Sequence, residues 1–136
     1  MDITVSHAQG HVPVTVLHVH GDVDASSYQD LIARAQEVCA AGTRDMLMDL
    51  SDVPYMSSSG LVALQSVAAL LRGDEMSDLE SGWGALHAVE RDRDAGLQSH
   101  FKLFNPQPRV DHVLEVVGFK RFLEVYTDLE EAVASF

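Results

Sequence analysis

The sequence holds a single cysteine, Cys39, among 136 residues. No internal disulfide framework can form, and a reducing, cytoplasmic location is expected. Cys39 falls inside a helical pattern, where a small packed residue is expected rather than a reactive thiol. Basic residues are also scarce: nine Lys and Arg stand against 21 Asp and Glu, for a net charge of −12. Nucleic acid binding needs clustered cations to neutralise phosphates, so that class of partner is set aside. The acidic excess fits solubility and a basic surface on a protein partner. No apolar run approaches the roughly eighteen residues of a membrane span. The start, Met1-Asp2-Ile3-Thr4-Val5, lacks the basic and apolar segments of a secretory signal. There is no Gly-x-x-x-x-Gly-Lys or Gly-x-Gly-x-x-Gly loop, which removes the common phosphate-cradling folds. The Gly-x-Ser-x-Gly elbow of strand–turn–helix hydrolases is missing too. No enzyme activity, catalytic residue or cofactor is therefore expected.

What is present is globular: 46% hydrophobic and 22% charged residues, enough for one domain with one sizeable core over residues 1–136. Ile3 and Val5, then Val12, Val14 and Val16, alternate with polar residues as strands do, with a hairpin connection expected at residues 7–11. The second strand ends at Gly21-Asp22. Asp24 or Ser26 then caps a first helix, Ser26 and Gln29 being spaced as a capping box. Leu31, Ile32, Ala35, Val38 and Cys39 recur at helical spacing and Gly42 stops them. Met46-Leu47-Met48-Asp49-Leu50 reads as a strand covered on both faces. Leu61, Leu64, Val67, Ala68 and Leu71 mark a second helix. Residues 101–104 read as a strand closed by Asn105-Pro106-Gln107-Pro108. Val110, Val113, Leu114 and Val117 mark a third helix ending at Gly118. A last strand is expected at 122–126, and a final helix is capped by Thr127 with Glu130 completing a second box. The order β-β-α-β-α-β-α-β-α predicts an α/β fold, a mixed and mainly parallel sheet with about four helices packed on it.

The chemistry concentrates in one turn, Met56-Ser57-Ser58-Ser59-Gly60-Leu61, where strand passes to helix. The first N–H groups of a helix are unpaired and its N-terminal end carries positive partial charge. A phosphate on a serine there would be accommodated by the helix itself. Two other features stand apart. Residues 73–96 form a polar insertion that contains Trp83 among glycines, the charge run Glu90-Arg91-Asp92-Arg93-Asp94, and room for a short helix at 85–93. Loops of this length inside a compact domain are usually functional or disordered. His18 and His20 lie two apart on one strand and share a face. No Cys or third His stands at ligand spacing beside them, and no metal site is assigned.

These residues resemble the STAS domain family, of the anti-sigma factor antagonist type. The resemblance is carried by Met48-Asp49-Leu50-Ser51-Asp52-Val53-Pro54-Tyr55-Met56-Ser57-Ser58-Ser59-Gly60-Leu61, similar to the family's strand, aromatic and Asp-Ser-Ser/Thr-Gly-Leu turn. Gly21-Asp22-Val23-Asp24 is similar to its Gly-x-Leu-Asp turn. Asn105-Pro106-Gln107-Pro108-Arg109-Val110, with Leu114 and Gly118, is similar to its third-helix region. It covers the first seventy or so residues and the last forty, leaving 73–96 as an insertion.

The resemblance implies a protein–protein switch. The partner would be an anti-sigma factor that is also a serine kinase of the histidine-kinase-like ATPase fold, with a phosphatase to reverse its action. The phosphate acceptor would be Ser58, with Ser57 and Ser59 as alternatives. Asp22, Asp24, Met56, Ser57, Ser59, Gly60 and Leu61 would form the partner-binding surface. The chain departs from the family at Ser57, where an Asp is usual. Ser and Asp are comparable helix caps, so capping survives while the charge is lost. That departure and the insertion also fit a second reading, a STAS scaffold that is not phosphorylated and works in a lipid-transport or sensory assembly.

Overall fold

The computed structural model describes residues 1–72 and 97–136. The expected insertion at 73–96, with Trp83, the charge run and the helix at 85–93, lies outside the described residues. Two antiparallel strands open the chain, β1 (Asp2–Gln9) and β2 (Pro13–His20), with Asp2 opposite His20 and Gln9 opposite Pro13. Helix α1 (Tyr28–Ala40) leads to β3 (Met46–Asp52), and α2 (Ser58–Arg72) follows. Beyond residue 96 come β4 (Phe101–Phe104), α3 (Pro108–Val116), a 3-10 turn (Phe119–Arg121), β5 (Val125–Tyr126) and α4 (Leu129–Ala134). The sheet order is β1-β2-β3-β4-β5, and every pairing after the hairpin is parallel. This is the mixed, mainly parallel α/β sheet that the order of elements predicts.

Alternation in the strands sorts side chains onto two faces. Leu17 and Val19 of β2, Met46, Met48 and Leu50 of β3, and Phe101 and Leu103 of β4 meet Leu31, Ala35, Leu64, Val67, Val110 and Leu114 from the helices in the main core. Val14, Val16 and Leu47 pack on the opposite face against Ala132 and Val133 of α4. Met46, Leu47, Met48 and Leu50 are fully buried, as a central strand covered on both sides requires. Helix α1 stops in a left-handed residue, Gly42 (φ +115°), with Gly42 N–H donating to Cys39 O and Thr43 N–H to Val38 O, both at 3.1 Å. That pair of bonds satisfies carbonyls the helix leaves open.

Four local expectations are corrected. The hairpin connection is shorter than 7–11, because β1 runs on to Gln9 and sets Ala8 opposite Val14 on the α4 face. Helix α1 is capped at Ser27, without a side-chain cap bond, rather than at Asp24 or Ser26. The Asp24 carboxylate instead takes both the N–H (2.9 Å) and the hydroxyl (2.6 Å) of Ser26, holding Ser26 in a turn outside the helix, so no Ser26–Gln29 box forms. The final helix is capped by Asp128, whose Oδ1 accepts the Glu131 N–H at 3.0 Å, one residue later than Thr127 and Glu130 would place it. The last strand keeps only Val125 and Tyr126. Phe122 and Leu123 are spent as buried core residues below the 3-10 turn, Phe122 resting 5.1 Å from the Phe119 ring.

Candidate functional site

Because β2 and β3 are adjacent and parallel, the turns that follow them leave the sheet on the same edge, side by side. They are laced by backbone hydrogen bonds. Gly21 N–H donates to Asp52 O (3.0 Å), Val23 N–H to Tyr55 O (3.0 Å) and Ser57 N–H to Val23 O (2.9 Å), and Val23 forms a parallel bridge to Met56. Val23 is fully buried and Asp22 and Asp24 flank it, so the two acids stand on either side of the residue that grips the serine turn. Ser27 ties this loop down, donating its hydroxyl to Asp22 O at 2.8 Å and accepting the Asp24 N–H at 3.0 Å. Hydrogen bonds from Ser26, hydroxyl first and then N–H, hold the Asp24 carboxyl below its ordinary value, so it is an anion at neutral pH.

Helix α2 begins at Ser58, and Ser57 is its cap. Ser57 Oγ accepts the Ser59 N–H at 3.2 Å, and the Ser57 carbonyl accepts the Leu61 N–H at 3.1 Å. Ser57 and Ser59 are half-buried, and Ser58 is exposed in the first turn. The capping role expected of Ser57 is thus performed by its hydroxyl. Ser57→Ala should cost about 1 kcal/mol of stability and Ser57→Asp should cost little, since Asp is an equally good acceptor there; urea unfolding of the two variants checks this. The remaining residues of the motif divide by depth. Met56 (3% exposed) and Gly60 are buried, and Leu61 is partly buried against the main core. Their positions shape the turn from beneath, leaving Ser58, Asp22 and the part-exposed Asp24 at its surface.

Sequence reasoning missed two neighbours. Tyr55 is 39% exposed, and the Arg109 guanidinium lies 5.3 Å from the centre of its ring. Gln107, at the N-cap of α3, donates its side-chain N–H to Ser51 O at 2.9 Å, which docks the start of α3 beside the end of β3. Both contacts span more than fifty residues, and no local pattern announces them. An exposed aromatic just before a helix turn was the one signal available. Among the described residues no group of three or more His, Cys, Asp or Glu side chains is clustered as metal ligands. Nor is any helix there long and apolar enough to cross a membrane.

The profile of the STAS domain family matches residues 5–76, more than half of the chain and all of the laced turns. The chain belongs to the STAS domain family. Its fold extends the likeness past the matched segment. A Thermotoga maritima protein described as a candidate anti-sigma factor antagonist superposes with a TM-score of 0.69 at 15% identity, over 96% of this chain and 90% of that one. An anti-sigma factor antagonist from Mycobacterium paratuberculosis gives 0.64 at 19% identity, over 98% and 93%. The phosphorylated form of the Bacillus cell fate determinant SpoIIAA gives 0.52 at 16% identity, over 97% and 96%. No curated protein sequence matches. At these identities the structural likeness establishes the STAS fold, including β4, α3, β5 and α4 beyond the profile match.

Proposed function

We propose that this STAS domain is a regulatory protein–protein interaction module of the anti-sigma factor antagonist type, acting in the cytoplasm, one domain over residues 1–136 with an insertion at 73–96. Its partner is an anti-sigma factor that is also a serine kinase of the histidine-kinase-like ATPase fold, and the modified residue is Ser58. The observation that carries this reading is the exposed Ser58 hydroxyl in the first turn of α2, between half-buried Ser57 and Ser59. A phosphoserine there adds about −1.5 to −2 charge. The helix end accommodates that charge, so the fold need not change. The cost falls on a docked partner, and Asp22 and Asp24 add to the repulsion. A phosphatase resets the module.

Incubation with the cognate kinase and ATP, followed by mass spectrometry, is expected to place one phosphate on Ser58. No phosphate on Ser57, Ser58 or Ser59 sinks the proposal. One observation favours a second reading, a scaffold without phosphorylation in a lipid-transport or sensory assembly. The position before Ser58 carries an uncharged hydroxyl already engaged in capping, where the resemblance leads one to expect an acid. A complex whose affinity is unchanged by Ser58→Asp and Ser58→Ala, but lost on deletion of residues 73–96, supports that reading instead.

A further inference from the structure

A hydrogen-bonded row of three side chains crosses β1, β2 and β3, away from the serine turn. The β2–β3 register sets His18 opposite Asp49, and His18 Nδ1 lies 2.7 Å from Asp49 Oδ2. Ser6 stands one diagonal step along β1, opposite Val16, and its Oγ lies 2.8 Å from His18 Nε2. Asp49 is itself anchored: its Oδ1 accepts the Ser51 N–H at 2.9 Å and the Ser51 hydroxyl at 2.6 Å. Burial pushes the Asp49 carboxyl up, but the bonds from Ser51 and His18 outweigh it and leave the group below the ordinary carboxylate value. An ionised carboxylate can only accept, so Nδ1 carries the proton. In the neutral ring Nε2 then presents its lone pair to the Ser6 hydroxyl. Ser6 is exposed, and the His18 and Asp49 side chains are 31% and 14% exposed, so the hydroxyl is accessible while the acid is sheltered.

We propose that Ser6, His18 and Asp49 form a nucleophilic relay through which Ser6 accepts acyl groups from small activated esters. Ser6 Oγ forms a bond to the ester carbonyl carbon as His18 Nε2 takes the hydroxyl proton. The tetrahedral adduct collapses, the ester C–O bond breaks, and the alkoxide or phenolate leaves with the bonding pair, taking the proton from His18 Nε2. Water then attacks the acyl carbon, giving a proton to Nε2, which passes it to Ser6 Oγ as the acyl–oxygen bond breaks, releasing the carboxylic acid and free Ser6. Asp49 is a positioning residue, holding the tautomer and stabilising the imidazolium. The row lies on an open sheet face, so the acceleration is that of general-base assistance, about 10²–10⁴-fold. A second row provides an internal comparison. His20 Nδ1 lies 2.6 Å from Asp52 Oδ2, but Thr4 Oγ1 is 3.4 Å from His20 Nε2 and the Asp52 side chain is 68% exposed. Thr4 is therefore not acylated.

The test is turnover of 4-nitrophenyl acetate together with labelling by an alkyl fluorophosphonate, located by peptide mass mapping. The expected result is one label, on Ser6, abolished in Ser6→Ala, retained in Thr4→Ala and Ser58→Ala, and formed about 100-fold more slowly in His18→Gln. Asp49→Asn should slow labelling of Ser6 about as much as His18→Gln, because the amide no longer holds the Nδ1–H tautomer. Asp49→Glu should restore part of the rate, a rescue a purely structural role would not produce. Labelling spread over several serines, a rate unaltered in His18→Gln, or a rate in Asp49→Glu no higher than in Asp49→Asn overturns the relay. If His18→Gln fails to fold, the comparison of Asp49→Asn with Asp49→Glu decides the matter.

Discussion

Gly60→Val is expected to lower the stability of the domain by about 3 kcal/mol, among the larger costs of overpacking. A Cβ at Gly60 would stand 2.5 Å from Met56 Cγ, 2.7 Å from Val23 O and 3.2 Å from Val23 Cγ1. The Met56 side chain can move aside, but the Val23 carbonyl is backbone and accepts the Ser57 N–H. Relief therefore requires α2 to withdraw from the β2–α1 loop and the bridge between the two turns to open. Valine adds a branched carbon in the same crowded space, so Gly60→Ala should cost less, about 1–2 kcal/mol. Urea unfolding should show a lower midpoint with an unchanged slope for both variants. If the proposed function is right, Gly60→Val should also slow phosphorylation of Ser58, because the turn that presents it no longer has its floor.

Lys102→Ala is expected to cost a similar amount, about 3 kcal/mol, through the opposite end of the sheet. Lys102 is 3% exposed. Its ammonium donates to Ser135 O (2.9 Å) and Ser135 Oγ (3.0 Å), pairs with Glu124 Oε1 at 3.5 Å, and lies 4.8 Å from the Phe136 ring centre. One cation thus ties β4 to the residues that follow α4. Removing it leaves Glu124 without this partner and Ser135 O without a donor. Lys102→Met keeps the aliphatic stem and should recover about half of the loss. Thermal unfolding gives the magnitude, and hydrogen exchange should show residues 129–136 losing protection first in Lys102→Ala.

Lys102 also shows where reading along the chain stops. In Phe101-Lys102-Leu103-Phe104 a lysine between apolar neighbours looks like the solvent side of a half-buried strand. It is buried because α4 and the residues after it fold over that face, which no feature of residues 101–104 encodes. The caps moved for a related reason. Ser26 and Thr127 are plausible caps by type and spacing, but Asp24 captures Ser26 and Asp128 outcompetes Thr127, and such contests between neighbouring polar groups are settled by geometry. The elements themselves were legible, since periods of two and 3.6 and the stops at Gly42 and Gly118 are local properties. The histidine pair was legible only in half: His18 and His20 share a face by alternation, whereas Asp49 and Asp52 reach them through the β2–β3 register.

The sequence by itself determined the α/β order, the strand–serine–helix turn and the resemblance to STAS domains, because each rests on residues within a few positions of one another. Tertiary structure decided which turns touch, that Ser58 is exposed while Met56 and Gly60 are buried, that Arg109 lies over Tyr55, and that Ser6, His18 and Asp49 form one row. Those facts depend on strand order and register, which bring residues 12 to 56 positions apart into contact. Such pairings leave no periodic trace in the chain, and only packing of the whole sheet sets them.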